Sequence, residues 1–208
     1  MEVIMNEMEA NAADTGFPVK PQKILWDLHQ VLRAEDIVIS DVGAHKMWVA
    51  RMYQADQPNT CIISNGFAAM GIAVPGAIAA KIVHPERTIV AVTGDAGFMM
   101  NSQELETAMR LKTPIVVLIW TDEEYGLIKW KQMTHFGRPS HIDFTNPDFV
   151  KYAESFGAKG YRVQAANELV PILKQAIADN TVVVIDCPVD YGENLKLTKQ
   201  MGEMVCPI

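Results

Sequence analysis

Short runs of β-branched and aliphatic residues alternate along the chain with longer stretches whose apolar positions recur at helical spacing. That alternation is what a parallel sheet with crossover helices requires. The pattern predicts strands at Ile37–Ser40, Cys61–Ser64, Thr88–Thr93, Pro114–Trp120, Gly160–Val163 and Thr181–Asp186. It predicts helices at Pro21–Leu32, where proline suits a first turn, at Asn101–Leu111, with Asn101 and Glu104 as a capping-box variant, and at Asn167–Ala178. Ile89-Val90-Ala91-Val92 and Ile115-Val116-Val117-Leu118-Ile119 are continuously apolar, which places both strands mid-sheet under helices on either side. The expected fold class is therefore α/β, a doubly wound, mostly parallel six-stranded sheet with helices on both faces. Residues 1–18 read as an acidic leader or linker, residues 19–190 as the folded domain, and residues 191–208 as a tail without clear periodicity.

Composition narrows the partners. Of 208 residues 49% are hydrophobic, enough for one large core, and 18 basic against 25 acidic residues leave a net charge of −7, the wrong sign for neutralising a nucleic acid. The longest uncharged apolar stretch, Gly66 to Ala80, is shorter than the roughly 20 residues of a spanning helix and contains Pro75, so no membrane partner is expected. Glu2, Glu7 and Glu9 at the N-terminus do not make a secretory signal. Cys61, Cys187 and Cys206 form no C-x-x-C pair, and a reducing cytoplasm is the simplest location. A mean hydropathy of +0.05 suits a chain with part of its surface buried against a partner.

In such a fold, chemistry gathers in loops beyond the carboxyl ends of the strands, after residues 40, 64, 93 and 120. One reads Gly94-Asp95-Ala96-Gly97-Phe98, small residues leading into a helix start, which suits a phosphate. Gly66 to Gly71 has the G-x-x-x-x-G spacing of a P-loop but continues Ile72-Ala73 instead of Lys and Ser or Thr, and no G-x-G-x-x-G occurs, so ATP and NAD are disfavoured. Asp95 and Asp122 end successive buried strands, 27 residues apart. Two carboxylates at one sheet edge suit Mg²⁺, which takes about six oxygens, commonly from one or two carboxylates and substrate phosphates. Taken singly, the same aspartates also suit ordinary helix caps.

Gly94-Asp95-Ala96 followed by Thr121-Asp122 resembles the thiamine diphosphate signature, GDG and then NN. Four flanking segments extend the likeness: Asp41-Val42-Gly43-Ala44-His45-Lys46-Met47-Trp48, Asn65-Gly66-Phe67-Ala68-Ala69-Met70-Gly71, Gln103-Glu104-Leu105-Glu106-Thr107-Ala108, and residues 146–158, which begin Asn146-Pro147-Asp148-Phe149. Together they resemble the acetolactate synthase family, from about residue 20 to Asp190, and only the C-terminal thiamine diphosphate-binding domain of those enzymes. The resemblance implies Mg²⁺ held by the side chains of Asp95 and Asp122 and the main-chain carbonyl of Glu124. It implies diphosphate contacts from Gly94, Ala96, Gly97 and the turn Gly43-Ala44-His45, with Met70 supporting the bent cofactor between its rings.

The implied function is pyruvate decarboxylation and carboligation to 2-acetolactate. The glutamate that activates thiamine in that family sits on a separate pyrimidine-binding domain, to which nothing here corresponds. No catalytic residue is therefore assigned. The chain alone is expected to bind but hardly catalyse, and to work with such a domain or a companion subunit in a homo- or hetero-oligomer. The leader would be the linker from that missing part. Another thiamine-dependent decarboxylase or lyase half, or a non-catalytic assembly module, stays open. Two departures matter. Ala96 stands where the signature has glycine, which is tolerable if φ is negative there and costly if it is positive, and Asp122 puts a carboxylate where many relatives have a neutral amide, with two more acids, Glu123 and Glu124, after it.

Overall fold

The computed structural model describes residues 2–197. Its elements run α1 (Glu2–Asn11), α2 (Pro21–Val31), β1 (Ile37–Ser40), α3 (Ala44–Met52), β2 (Cys61–Ile63), α4 (Ala73–Val83), β3 (Ile89–Gly94), α5 (Asp95–Met100) and α6 (Glu104–Leu111). There follow β4 (Val116–Thr121), α7 (Gly126–Phe136), α8 (Phe149–Ser155), β5 (Lys159–Arg162), α9 (Leu169–Ala178) and β6 (Val183–Pro188). All six predicted strands are present and pair in parallel in the order β2-β1-β3-β4-β6-β5. The two continuously apolar strands are β3 and β4, the central pair. The chain reverses its direction of sheet-building between β1 and β3, and the crevice at their carboxyl ends is the switch point where such sheets bind ligands.

Alternation along the strands divides the core in two. Val38, Val90, Val92, Leu118 and Ile185 point to one face, where Ile24, Leu25 and Leu28 of α2, Trp48 of α3 and Leu173 of α9 cover them. Ile39, Ala91, Val117, Ile119 and Val184 point to the other, against Ala73 and Ala77 of α4, Phe98 of α5, Leu105 of α6 and Phe149 of α8. Pro75 and Gly76, which interrupt the apolar stretch in the sequence, lie in the first turn of α4. Proline is tolerated there, and a Cβ on Gly76 would sit 3.4 Å from Ile39, so the glycine allows α4 close against β1. No helix of the described residues is long and apolar enough to cross a membrane.

Several expectations change. Asn101 does not cap α6: it ends α5, and α6 begins after Gln103 with no side-chain cap. The Asn101 amide instead donates to the Gly71 carbonyl at 2.8 Å, a tertiary partner that no local pattern reveals. The segment read as a leader contains α1, whose Met8 is only 1% exposed and packs in the core with α2 and α3. Val19 and Val189 pair in a parallel bridge. Part of the segment read as a tail also packs: Leu197 is buried, and Asn194 accepts a 2.7 Å hydrogen bond from the Trp48 indole. The rest of that tail, including Cys206, lies outside the described residues.

Truncating Met8 to Ala removes a fully buried side chain and should cost about 2–3 kcal/mol. A shifted urea midpoint in the full chain is the check, and an unchanged midpoint would make α1 an appendage.

Candidate functional site

At the end of β1 the chain turns at Asp41, whose buried carboxylate accepts from the main-chain N–H of Val42 at 2.7 Å, Gly71 at 2.9 Å and Ala73 at 3.1 Å. These bonds fasten the loop before α4 to the sheet. Gly71 has φ +88°, and a Cβ there would lie 2.9 Å from the Asn101 amide nitrogen, so both conformation and space call for glycine. Held from both sides, the loop presents Met70 to the crevice. Asp41 and Asn101 are positioning residues that motif reading missed; a buried aspartate directly after a strand was the available signal for the first.

The end of β3 is organised by Asp95, 1% exposed. Its Oδ2 accepts from the N–H of Asp122 at 3.2 Å, the N–H of Glu123 at 2.8 Å and the Asn146 side-chain amide at 2.8 Å, while Oδ1 accepts from the N–H of Ala96 at 2.8 Å. With a single donor, Oδ1 retains lone-pair capacity for a cation. Ala96 lies inside α5 and is not among the residues of positive φ, so the missing glycine costs nothing there.

Beyond β4, Glu123 adopts φ +58° and is exposed, and Glu124 turns back. The carboxylate of Glu124 is ion-paired with Lys129, and its carbonyl accepts from the N–H of Gly126 at 2.9 Å. A Cβ on Gly126 would stand 3.0 Å from Asp122 Oδ2 and 3.4 Å from Ala44 Cβ, which measures how closely α7 and α3 approach here. Burial, then the neighbouring Asp95 carboxylate, pushes the pKa of Asp122 up to about 7.

His45 is buried and its pKa falls to about 4, mainly through burial and against the pull of Asp41. The imidazole is therefore neutral near pH 7. Among the described residues its Nε2 finds no hydrogen-bond partner, nor does the indole Nε1 of Trp120 or the Oδ1 of Asn146. The ring of Trp120 sits 6.3 Å from both His45 and Tyr191.

These loops enclose a cleft of about 660 Å³, counting the space open to solvent. Nine of the ten site residues named from the sequence line it: Gly43, Ala44, His45, Met70, Gly94, Asp95, Ala96, Asp122 and Glu124. Gly97 does not, because it faces inward, where a Cβ would lie 3.0 Å from Thr93 Oγ1 and 3.3 Å from the Asp41 carboxyl carbon. Trp120, Tyr125, Leu127, Ile128 and Tyr191 complete the walls with apolar surface that no motif announced. Among the described residues no three His, Cys, Asp or Glu side chains gather as a metal cluster. The oxygen donors at hand are two carboxylates and a main-chain carbonyl, a hard set of the kind Mg²⁺ takes when phosphates complete it.

Residues 41–187 match the family model described as thiamine pyrophosphate enzyme, C-terminal TPP binding domain. The chain belongs to this family. As a thiamine pyrophosphate-binding domain it is 38% identical to the acetolactate synthase of Bacillus subtilis, over 97% of this chain and 41% of that protein. It is 36% identical to the catabolic acetolactate synthase of Raoultella terrigena, over 89% and 33% of the two chains, and 35% identical to the probable acetolactate synthase large subunit of Methanocaldococcus jannaschii, over 90% and 33%. The chain thus spans about two fifths or less of the length of these relatives.

Two outcomes follow from the cleft. Asp41→Asn replaces an accepting oxygen with a donor among three N–H groups and should destabilise the protein by about 2–3 kcal/mol, with new proteolytic cleavage in residues 65–72 as the readout. The folded state also holds a proton on Asp122 that the unfolded chain releases near the ordinary 3.8. In metal-free protein, that stabilisation is complete below pH 3.8 and lost as pH rises through about 7, by up to about 4 kcal/mol. Urea titrations of Asp122→Asn should show a flatter pH dependence in this window, and an identical slope would contradict the assignment.

Proposed function

We propose that this domain binds thiamine diphosphate through Mg²⁺ and forms the cofactor half of an acetolactate synthase-like enzyme. The observation that carries the reading is the meeting of Asp95 and Asp122 in one cleft at the sheet's switch point, facing Met70 on the loop that Asp41 holds. Asp95 Oδ1, the Asp122 carboxylate and the Glu124 carbonyl would hold the cation. Their chemistry fits: burial, then the neighbouring Asp95 carboxylate, raises the pKa of Asp122, and a divalent cation placed there would favour its ionised form. The orphaned Nε2 of His45 and Nε1 of Trp120 suit a polar ligand in the same place.

When bound, the thiazolium supplies an electron sink for cleaving a bond beside a carbonyl. This chain's residues do the positioning. The Asp95 network fixes the carboxylates before the ligand arrives, Met70 supports the cofactor from the α4 side, and Tyr125, Leu127 and Ile128 exclude water from the opposite wall. In the assembled enzyme we assign decarboxylation of pyruvate and transfer of the two-carbon unit to a second pyruvate, with a pyrimidine-binding domain or subunit completing the site. Exposed apolar side chains favour such a partner in an oligomer: Phe67 and Ile72 on the α4 loop, Met99 and Met100 beside it, and Ile128 at the cleft wall. The cytoplasm is the proposed location. A different thiamine-dependent reaction is the second reading, favoured by 38% identity, over 87% of this chain, to the Bacillus subtilis protein named putative thiamine pyrophosphate-containing protein YdaP.

Calorimetry of the full chain with thiamine diphosphate should show binding that needs Mg²⁺. Asp122→Ala should weaken it by more than about tenfold, while Glu106→Ala, on a surface residue paired with Arg110 at 2.9 Å, should leave it unchanged. Equal losses in both variants would sink the coordination. Turnover of pyruvate to acetolactate after adding a pyrimidine domain from a relative separates the two readings of the reaction.

A further inference from the structure

We propose that Lys129 is a positioning residue that acts as the counter-ion of Glu124, so that this acidic side chain does not repel an anionic ligand in the cleft. The inference rests on the diphosphate reading above and concerns the two acids that follow Asp122. Glu123 and Glu124 look equivalent in the sequence, but the structure separates them. Glu123 is exposed at the turn, where water and salt screen its charge. Glu124 keeps only 26% of its side-chain surface and forms part of the wall between the cleft and an adjoining groove against α7 and residues 189–195. Glu124 borders the same cleft as Asp95 and Asp122, so its charge, if left unpaired, would lie near an anionic ligand.

Among the described residues, no lysine or arginine lines the cleft. Lys129 lines the groove on the other side of Glu124, and its ammonium both hydrogen-bonds and ion-pairs with Glu124 Oε2. Lys129 lies in the first turn of α7, where its N–H donates to the Tyr125 carbonyl at 2.9 Å, which puts its side chain within reach of Glu124 just before the helix. The two charges act on Asp122 in opposite senses: Glu124 disfavours its ionised form and Lys129 favours it.

The test is a double-substitution cycle on the full chain, read by calorimetry of thiamine diphosphate with Mg²⁺. Lys129→Met leaves Glu124 unpaired and should weaken binding by about tenfold at low salt, the loss shrinking as ionic strength rises. Lys129→Arg should retain binding. Adding Glu124→Gln to Lys129→Met should restore affinity to within about twofold of the unsubstituted chain, because the repelling charge is gone. Should the double variant stay as weak as Lys129→Met, Lys129 touches the ligand directly and the counter-ion role is overturned; unchanged binding by Lys129→Met overturns it as well. If the unsubstituted chain shows no Mg²⁺-dependent binding, the cofactor reading fails and this inference with it. Glu124→Gln alone should bind at least as tightly as the unsubstituted chain, and a tenfold loss in that variant would count against the proposal.

Discussion

Asp95 leaves the sheet at the end of β3 with its carboxylate shielded from solvent, and four protein donors converge on it from three segments. An unpaired buried carboxylate costs several kcal/mol, so the turn after β4 and the loop carrying Asn146 must arrive in register for the domain to be stable at all. The pairing of Gly94 with Trp120 across β3 and β4 sets that register. A slip of one residue would turn every side chain of a strand to the opposite face and take the donors with it. Folding and assembly of the site are thus one event, and a rigid first layer of oxygen atoms results.

That rigidity has an electrostatic cost. Asp95, Asp122 and Glu124 border one cleft with no lysine or arginine on its described lining, and burial, followed by the neighbouring Asp95 carboxylate, raises the pKa of Asp122 to about 7. A site that repels itself when empty favours a ligand carrying positive charge, and selectivity for a metal-bound anion over a bare one follows from the same arrangement. The neutral, buried His45 fits this balance, since a permanent cation there would lessen the demand for metal.

The sheet was legible because a strand covered on both faces must be continuously apolar, and β3 and β4 are. Asp95 and Asp122 were legible because parallel strands bring their ends to a common edge. The helices α3, α4, α7 and α8 were harder: α7 buries only Trp130, and α4 is apolar around most of its circumference with Pro75 and Gly76 inside it, so neither shows a clean stripe. Asn101 misled because its local spacing from Glu104 suits a cap, whereas its partner lies 30 residues earlier, at Gly71. The ion pair of Glu124 with Lys129 joins residues five apart, outside the three- and four-residue spacings at which helical side chains meet, and only the turn after β4 selects Glu124 over Glu123. The role of α1 escaped notice because Glu2, Glu7 and Glu9 make the segment read as an acidic leader, and the burial of Met8 depends on its tertiary contacts with α2 and α3.

The bridge between Val19 and Val189 ties the first and last extended segments of the folded unit at a single point. Segments on both sides of that clasp also pack in the core, Met8 before it and Leu197 after it, so the clasp couples the two ends of the described unit and a disturbance at one is felt at the other.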